Sequence, residues 1–408
     1  MAQSVANSLN AAMRVYDKNI ASQVFEKNIL WQNVLKNVAQ KRGTTNKYLP
    51  LKYGRNIGNA AGGESMTLPT AGNQQYLQAV VPMKLNFHTV SLTDYALQAG
   101  KNSEEYLVDL LQTEYDGAKE DMKRQLSRQG YGNGSGVICR INGVGSTPDF
   151  DLDTPMVGKN PTDYFEAGAT GVGSPVMVDS SATSATSEVY TVVSTITSDD
   201  NFTLDTGSGV ADNDYVFLAH NNGTATPSVS NRASEIMGIK GLIDDSSNVT
   251  TLQNLSRATY RWWNSYVNSN ATQRLLNEAL MHKTFLEGKK KGDITLGITS
   301  YDLFSSYGQL LSSDRRYTET MELKGGFKGV KFNDIALVAD YDHPYDEMNF
   351  IDPTTLSVEE MTEMSFMQDD GSILDRSATT AAYTAVLRYY ANLAISAPNK
   401  NSVLRDVI

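Results

Sequence analysis

The stretch Ser103–Gly136, SEEYLVDLLQTEYDGAKEDMKRQLSRQGYGNGSG, decides how the rest of the 408-residue chain is read. Ser103 has the side chain of an N-cap, and Glu104 and Glu105 follow it in the first turn, where the helix dipole favours acids. Leu107, Leu111, Tyr115, Ala118, Met122 and Leu126 recur every three or four residues and make one apolar stripe. Lys123, Arg124 and Arg128 collect near the end, where bases are favoured, and Gly130 stops the helix. At about 1.5 Å per residue such a helix is a rod of roughly 39 Å. A long helix with one narrow stripe reads as a strut. The alternating Gly130, Gly132, Gly134 and Gly136 read as a flexible turn. They follow a helix and lack the Lys-Ser/Thr ending of a phosphate loop.

Upstream of the strut, Leu9, Met13, Tyr16, Ile20 and Val24 keep helical spacing, so residues 4–40 are expected to be helical in pieces. Residues 41–82 differ. Tyr48–Leu51 and Gln78–Val81 read as strands flanking a tip at Asn59–Glu64. Gly54, Gly58, Gly62 and Gly63 break any helix between them. A two-stranded excursion this poor in apolar residues has no core of its own and must lie on something else.

Downstream, charge is uneven. Residues 151–225 hold eleven acids against the single base Lys159, so almost all of the net charge of −11 sits there. In the same segment Tyr190–Thr197 alternates, Asp199-Asp200-Asn201 supplies a turn, and Phe202, Leu204, Val216 and Leu218 continue the alternation. The expected structure is a hairpin or small barrel. Leu252–Asn268 and Thr272–Gly288 read as helices, Asp293–Thr299 as a strand and Tyr301–Ser312 as a helix. Val330–Asp340 and Met348–Leu356 read as strands. Thr379–Ser396 reads as one long strand with Tyr383, Ala385, Leu387, Tyr389, Ala391 and Leu393 on one face. The class is α+β.

Chemistry is scarce. One cysteine excludes a disulfide framework, and a net negative chain is a poor nucleic-acid reader. His88, His220, His282 and His343 are scattered without metal-ligand spacing. Asp149–Asp153 begins like a calcium loop, but Thr154 and Asn160 stand where Gly and Glu are needed. Lys289–Lys291 is a solvated helix end. Tyr260, Trp262, Trp263 and Tyr266 are expected to pack in a core or an interface. No nucleophile, base and oxyanion donor assemble, so no enzyme is expected. No catalytic, cofactor-binding or metal residue is assigned. No apolar run is long enough for a membrane helix, and no secretory signal is visible.

The order of parts, with Asp116–Gly136, Gly238–Asp245 (GIKGLIDD), Arg257–Trp263 (RATYRWW), Gly325–Asn333 (GGFKGVKFN) and Asp340, resembles the major capsid proteins of tailed bacteriophages, the Hong Kong 97-like fold. The likeness covers residues 5–150 and 230–408. It implies an N-terminal arm at 1–45, an extended loop at 46–85 lying over a neighbouring subunit, and a peripheral domain with its spine helix at 86–137. It also implies an axial domain at 138–365, containing a β-rich acidic insertion at 165–221, and a return to the peripheral domain at 366–408. The implied function is self-assembly as hexamers and pentamers into an icosahedral head around double-stranded DNA, without sequence-specific binding. Portal protein, and scaffolding or decoration proteins, are the implied partners, and no membrane is involved. The implied location is the virion, assembled in the host bacterial cytoplasm. A scaffolding segment is expected to be removed or supplied separately, because the helical arm starts near Met1. No covalent cross-link is expected, because the tip Asn59–Ser65 has no lysine. A nanocompartment shell of the same fold, enclosing protein cargo, is the alternative. An enzyme or sugar-binding protein built on the β-module comes third.

Overall fold

The computed structural model describes residues 30–31, 45–95, 104–143, 148–168, 173–220, 227–313, 320–322, 328–368, 373–377 and 380–408. Most of the expected N-terminal helix, the Ser103 cap and the side chains of Leu107 and Leu111 lie outside the described part.

The excursion is two antiparallel strands, β1 (Asn46–Gly54) and β2 (Gln75–Pro82), in register from Asn46–Pro82 out to Gly54–Gln75. Strand β3 (Lys84–Thr93) follows, then the long helix α1 (Glu104–Tyr131). Tyr115, Ala118, Met122 and Leu126 are buried, as the stripe requires, but so are Lys119, Arg128 and Gln129. The second half of α1 is therefore a core helix covered on a broad face, not an exposed strut. Leu30 and Trp31 close over its end: the Trp31 indole Nε1 donates to the Leu126 carbonyl at 3.1 Å.

The chain next builds a barrel from β4 (Val137–Asn142), β5 (Asp149–Asp153), β6 (Pro175–Asp179), β7 (Val189–Ser198), β8 (Asn201–Leu204) and β9 (Tyr215–His220). The antiparallel ring runs β9-β4-β5-β8-β7-β6 and closes from β6 back to β9, with the short β10 (Val229–Ser230) outside β9. Alternation explains it: Ile141, Phe150, Val176, Val178, Val193, Phe202, Leu204, Val216 and Leu218 point inward and fill one core. The barrel thus starts at Val137 and takes two strands from before residue 165. The two chain crossings are adjacent, since the Ala233 N–H donates to the Ser135 carbonyl at 2.7 Å.

A one-turn helix α2 (Ile239–Leu242) leads into the segment expected to be helical at Leu252–Asn268. That expectation fails. The segment is two short strands, β11 (Thr251–Leu252) and β12 (Leu255–Ser256), a 3-10 turn at Arg261–Trp263, and β13 (Tyr266–Asn268). Gln253 and Asn254 both take positive φ, +49° and +64°, the geometry of a tight hairpin turn. The spacing that mimicked a helix comes from side chains such as Leu252, Leu255 and Trp263 turning inward one after another.

Helix α3 (Glu278–Lys289) starts six residues later than the spacing suggested, capped by the Asn277 side chain, which accepts from the Ala279 N–H. It precedes β14 (Leu296–Thr299) and α4 (Tyr301–Ser313), then β15 (Thr320–Glu322), β16 (Lys328–Phe332), β17 (Ile335–Ala339) and β18 (Met348–Ile351). The stretch Val330–Asp340 is thus a hairpin, not one strand, turned at Asn333 and Asp334 with φ of +43° and +66°. Strand β19 (Leu356–Phe366) follows β18 only after a 3-10 turn at Pro353–Thr355. The chain ends with β20 (Asp375–Arg376), β21 (Ala382–Ile395) and β22 (Ser402–Leu404).

Two sheets complete the body. A mixed seven-stranded sheet has the order β13-β22-β18-β14-β17-β16-β15. Met281 and Phe285 of α3 and Leu303 and Tyr307 of α4 share a core with its Leu337 and Phe350. In the second sheet β21 lies between β3 on one side and β19 and β20 on the other. Ala385, Leu387, Tyr389, Ala391 and Leu393 are all buried, the parity expected from sequence. α1 packs on this face, with Tyr115 edge-on to Phe366 at 4.7 Å between ring centres.

Candidate assembly surfaces and the buried joint

The root of the arm is tied to its own chain. Ala79 and Val81 are buried, and the Val80 N–H donates to the Gln253 carbonyl at 2.9 Å. Lys47 pairs with the buried Glu359 of β19. Beyond Gly54 the ladder stops. Residues 55–74 carry no strand, and Ile57 and Leu68 there are 87% and 88% exposed.

The glycine run is not the flexible turn expected from sequence. It is a close-packed seat for α2. A Cβ on Gly238 would lie 2.3 Å from the Gln129 carbonyl oxygen, 2.5 Å from that of Gly132 and 2.6 Å from that of Gly130. Gly136, at φ +83°, approaches the Asn231 carbonyl so that a Cβ would be 2.5 Å from it. Only glycines let the helix end, the barrel entry and α2 meet backbone to backbone.

Beside this seat lies a buried charge network. Asp244 is fully buried and accepts from Ser247 Oγ at 2.6 Å, Arg405 Nη1 at 2.9 Å and Arg257 Nη1 at 3.2 Å. It also accepts the backbone N–H groups of Ser246, Asn248 and Val249. Burial alone would raise its pKa. The Ser247 hydroxyl, Arg405 and the backbone donors outweigh burial and hold it below the usual carboxylate range. Arg257 reaches on to the Leu242 carbonyl at 2.8 Å, and Glu347 Oε1 lies 3.1 Å from Arg405 Nε and 3.2 Å from Lys240 Nζ. Five charged side chains therefore lock α2, the β11–β12 hairpin, the β17–β18 loop and the C-terminal strand together.

The other sequence candidates scatter. Asp149, Asp151 and Asp153 lie on strand β5, so they form no calcium loop, and Asn201 Nδ2 donates to Asp151 at 2.8 Å. Among the described residues no three His, Cys, Asp or Glu side chains gather as a metal site, and no helix is long and apolar enough to cross a membrane. Lys289 and Lys290 pair with Asp293 and Glu287 at the end of α3. Of the aromatic group, Trp263 is buried in the core, and Trp262 stacks on Tyr53 of the arm: the rings are 6.0 Å apart and 14° from parallel.

No protein-family model and no curated sequence matches the chain. Solved structures do. The capsid asymmetric unit of cyanophage A-1(L) is similar over 93% of this chain and 92% of that one, with a TM-score of 0.53 at 12% identity. The chain has the Hong Kong 97-like capsid fold. A Mycobacterium phage Bobi structure matches over 93% of this chain and 90% of that one at 7% identity, TM-score 0.46. The holo-SrpI encapsulin complex from Synechococcus elongatus matches over 90% and 84% at 7%, TM-score 0.43.

In this capsid fold the residues that sequence reasoning missed are those of the joint. Asp244 stood inside the quoted GIKGLIDD and Arg257 began RATYRWW, but nothing in their spacing announced that Arg405, 161 residues from Asp244, joins them. The β17–β18 loop beside the joint carries two groups that titrate in opposite senses. Burial, then the neighbouring Glu347, pushes Asp346 up to about 6, despite Lys240. Burial pushes His343 down to about 4, and Asn349 and the Pro344 carbonyl hold its ring at 2.8 and 3.0 Å. As pH falls through about 6, the folded state takes up a proton at Asp346 before the unfolded chain does, and stability is gained. Between about 6.5 and 4 the unfolded histidine binds its proton first, and stability is lost. The two slopes oppose each other in one window. Asp346→Asn removes the gain alone. Its melting temperature should therefore fall more steeply than wild type between pH 6.5 and 4. Parallel melting curves for the two proteins across that range would refute the assignment.

Proposed function

We propose that the chain is the major capsid protein of a tailed bacteriophage, assembling as hexamers and pentamers into an icosahedral head around double-stranded DNA. The observation that carries this reading is the capsid fold along nearly the whole chain, with an arm whose Ile57 and Leu68 its own subunit leaves exposed. The exposed residues 55–74 of the arm would gain buried area on neighbouring copies. The peripheral domain would comprise β3, α1 and the β19–β21 sheet, and the axial domain the seven-stranded sheet with α3 and α4. The acidic barrel would be an insertion exposed on the shell, where a decoration protein could bind. Outside residues 151–225 acids and bases nearly balance, 35 against 34, so a lining of this chain would let packed DNA slide instead of adhering.

Electron microscopy of the sedimented chain, with and without a scaffolding partner, tests the reading. Closed particles with six- and five-fold capsomers and nuclease-protected DNA in infected cells are expected. Particles filled with protein would move the reading to a nanocompartment, and a stable monomer under both conditions would sink it.

A further inference from the structure

We propose that Tyr53, Tyr260 and Trp262 form an aromatic clasp that fixes the direction of the arm in the free subunit, before a second copy of the chain receives it. The consequence for assembly rests on the shell reading; the clasp itself belongs to one chain. The β1–β2 register shifts between Lys52 and Gly54, so Tyr53 is an extra, unpaired residue at the last rung of the ladder. That bulge turns its ring onto Trp262, with Tyr260 edge-on at 6.1 Å from Tyr53 and 5.9 Å from Trp262. Trp262 is itself backed by Trp263, 5.4 Å away, which is fully buried and donates Nε1 to the Leu252 carbonyl at 3.2 Å.

Both strands of the arm are thus tied to one segment, residues 251–263. β2 is held by the backbone bond from Val80 to Gln253, and β1 by the ring of Tyr53. Position 54 takes only glycine in this packing, since a Cβ there would lie 2.6 Å from the Gln75 Cβ. Everything beyond is the unpaired tip with Ile57 and Leu68. A stem oriented in advance removes ordering cost from the docking step.

The tryptophans supply a readout. Trp31 and Trp263 are 1% and 0% exposed, whereas Trp262 is half-buried with Tyr53 in place, so it is the member of the three whose exposure rises when Tyr53 leaves its face. Acrylamide quenching of the unassembled chain is compared for wild type, Tyr53→Phe and Tyr53→Ala, and the critical concentration for assembly is then measured for each. Tyr53→Phe should match wild type in both, because the ring and not the hydroxyl makes the stack. Tyr53→Ala should increase the quenching of one tryptophan in three and raise the critical concentration about 3- to 10-fold, the worth of an aromatic pair. Should Tyr53→Ala fold poorly, Tyr53→Leu keeps the bulk and removes the stack. Unchanged quenching in the alanine variant would overturn the clasp. Increased quenching with unchanged assembly would overturn its role in orienting the arm. A wild type that never assembles would instead sink the shell reading, and the quenching comparison would still decide the clasp.

Discussion

Asp244→Ala should cost about 3–5 kcal/mol, enough to leave the chain insoluble or partly unfolded at 37 °C. The reason is what it leaves behind. Arg257 is fully buried, and Arg405 is nearly so. Both lose the Asp244 carboxylate, while three backbone N–H groups and the Ser247 hydroxyl lose their acceptor. Glu347 remains for Arg405, but Arg257 loses its ion-pair partner and keeps only the more distant charge of Asp245. The exposed pair Lys159–Asp302 is the control, since each side chain is more than half solvated. Asp302→Ala should melt with wild type. Equal melting temperatures for Asp244→Ala and Asp302→Ala, read by circular dichroism, would show that the network contributes nothing to stability.

Gly238→Ala is the second large effect. The added methyl meets three main-chain carbonyls at the end of α1, none of which can rotate aside as a side chain would. Overpacking against backbone should cost about 3 kcal/mol or more and lift α2 off its seat. Gly117→Ala, on the exposed side of the same helix, meets nothing within 4 Å and should stabilise by up to about 1 kcal/mol. Opposite signs for the two variants in urea unfolding are the expected result. A Gly238→Ala variant as stable as wild type would mean the seat is loose.

The contrast between these glycines shows where reading the chain alone succeeds. Periodicity located α1, β21 and the barrel strands β7, β8 and β9, because the pattern is local, although the end of β21 and most of β9 are buried on both faces. It also located the uncovered tip, because an apolar deficit shows in composition. It failed at Leu252–Asn268, where buried side chains succeed each other through turns and counterfeit a helical spacing. The glycine run signalled freedom, and its actual use is contact with Gly238 from a separate segment. The joint was invisible for the same reason: Asp244 and Arg405 become partners only after the C-terminal strand β22 has reached the sheet.

The pairing of β3 with β21 sets a timetable for synthesis. Lys47 and Glu359, which anchor the arm's root, are 312 residues apart. At ribosomal rates of about 5–20 residues per second, roughly 15–60 s pass between their appearances. The barrel, whose strands are near neighbours in sequence, can close during that wait, whereas the root of the arm has no sheet to stand on until the C-terminal strands emerge. The ion pair at the root of the arm therefore forms only late in synthesis.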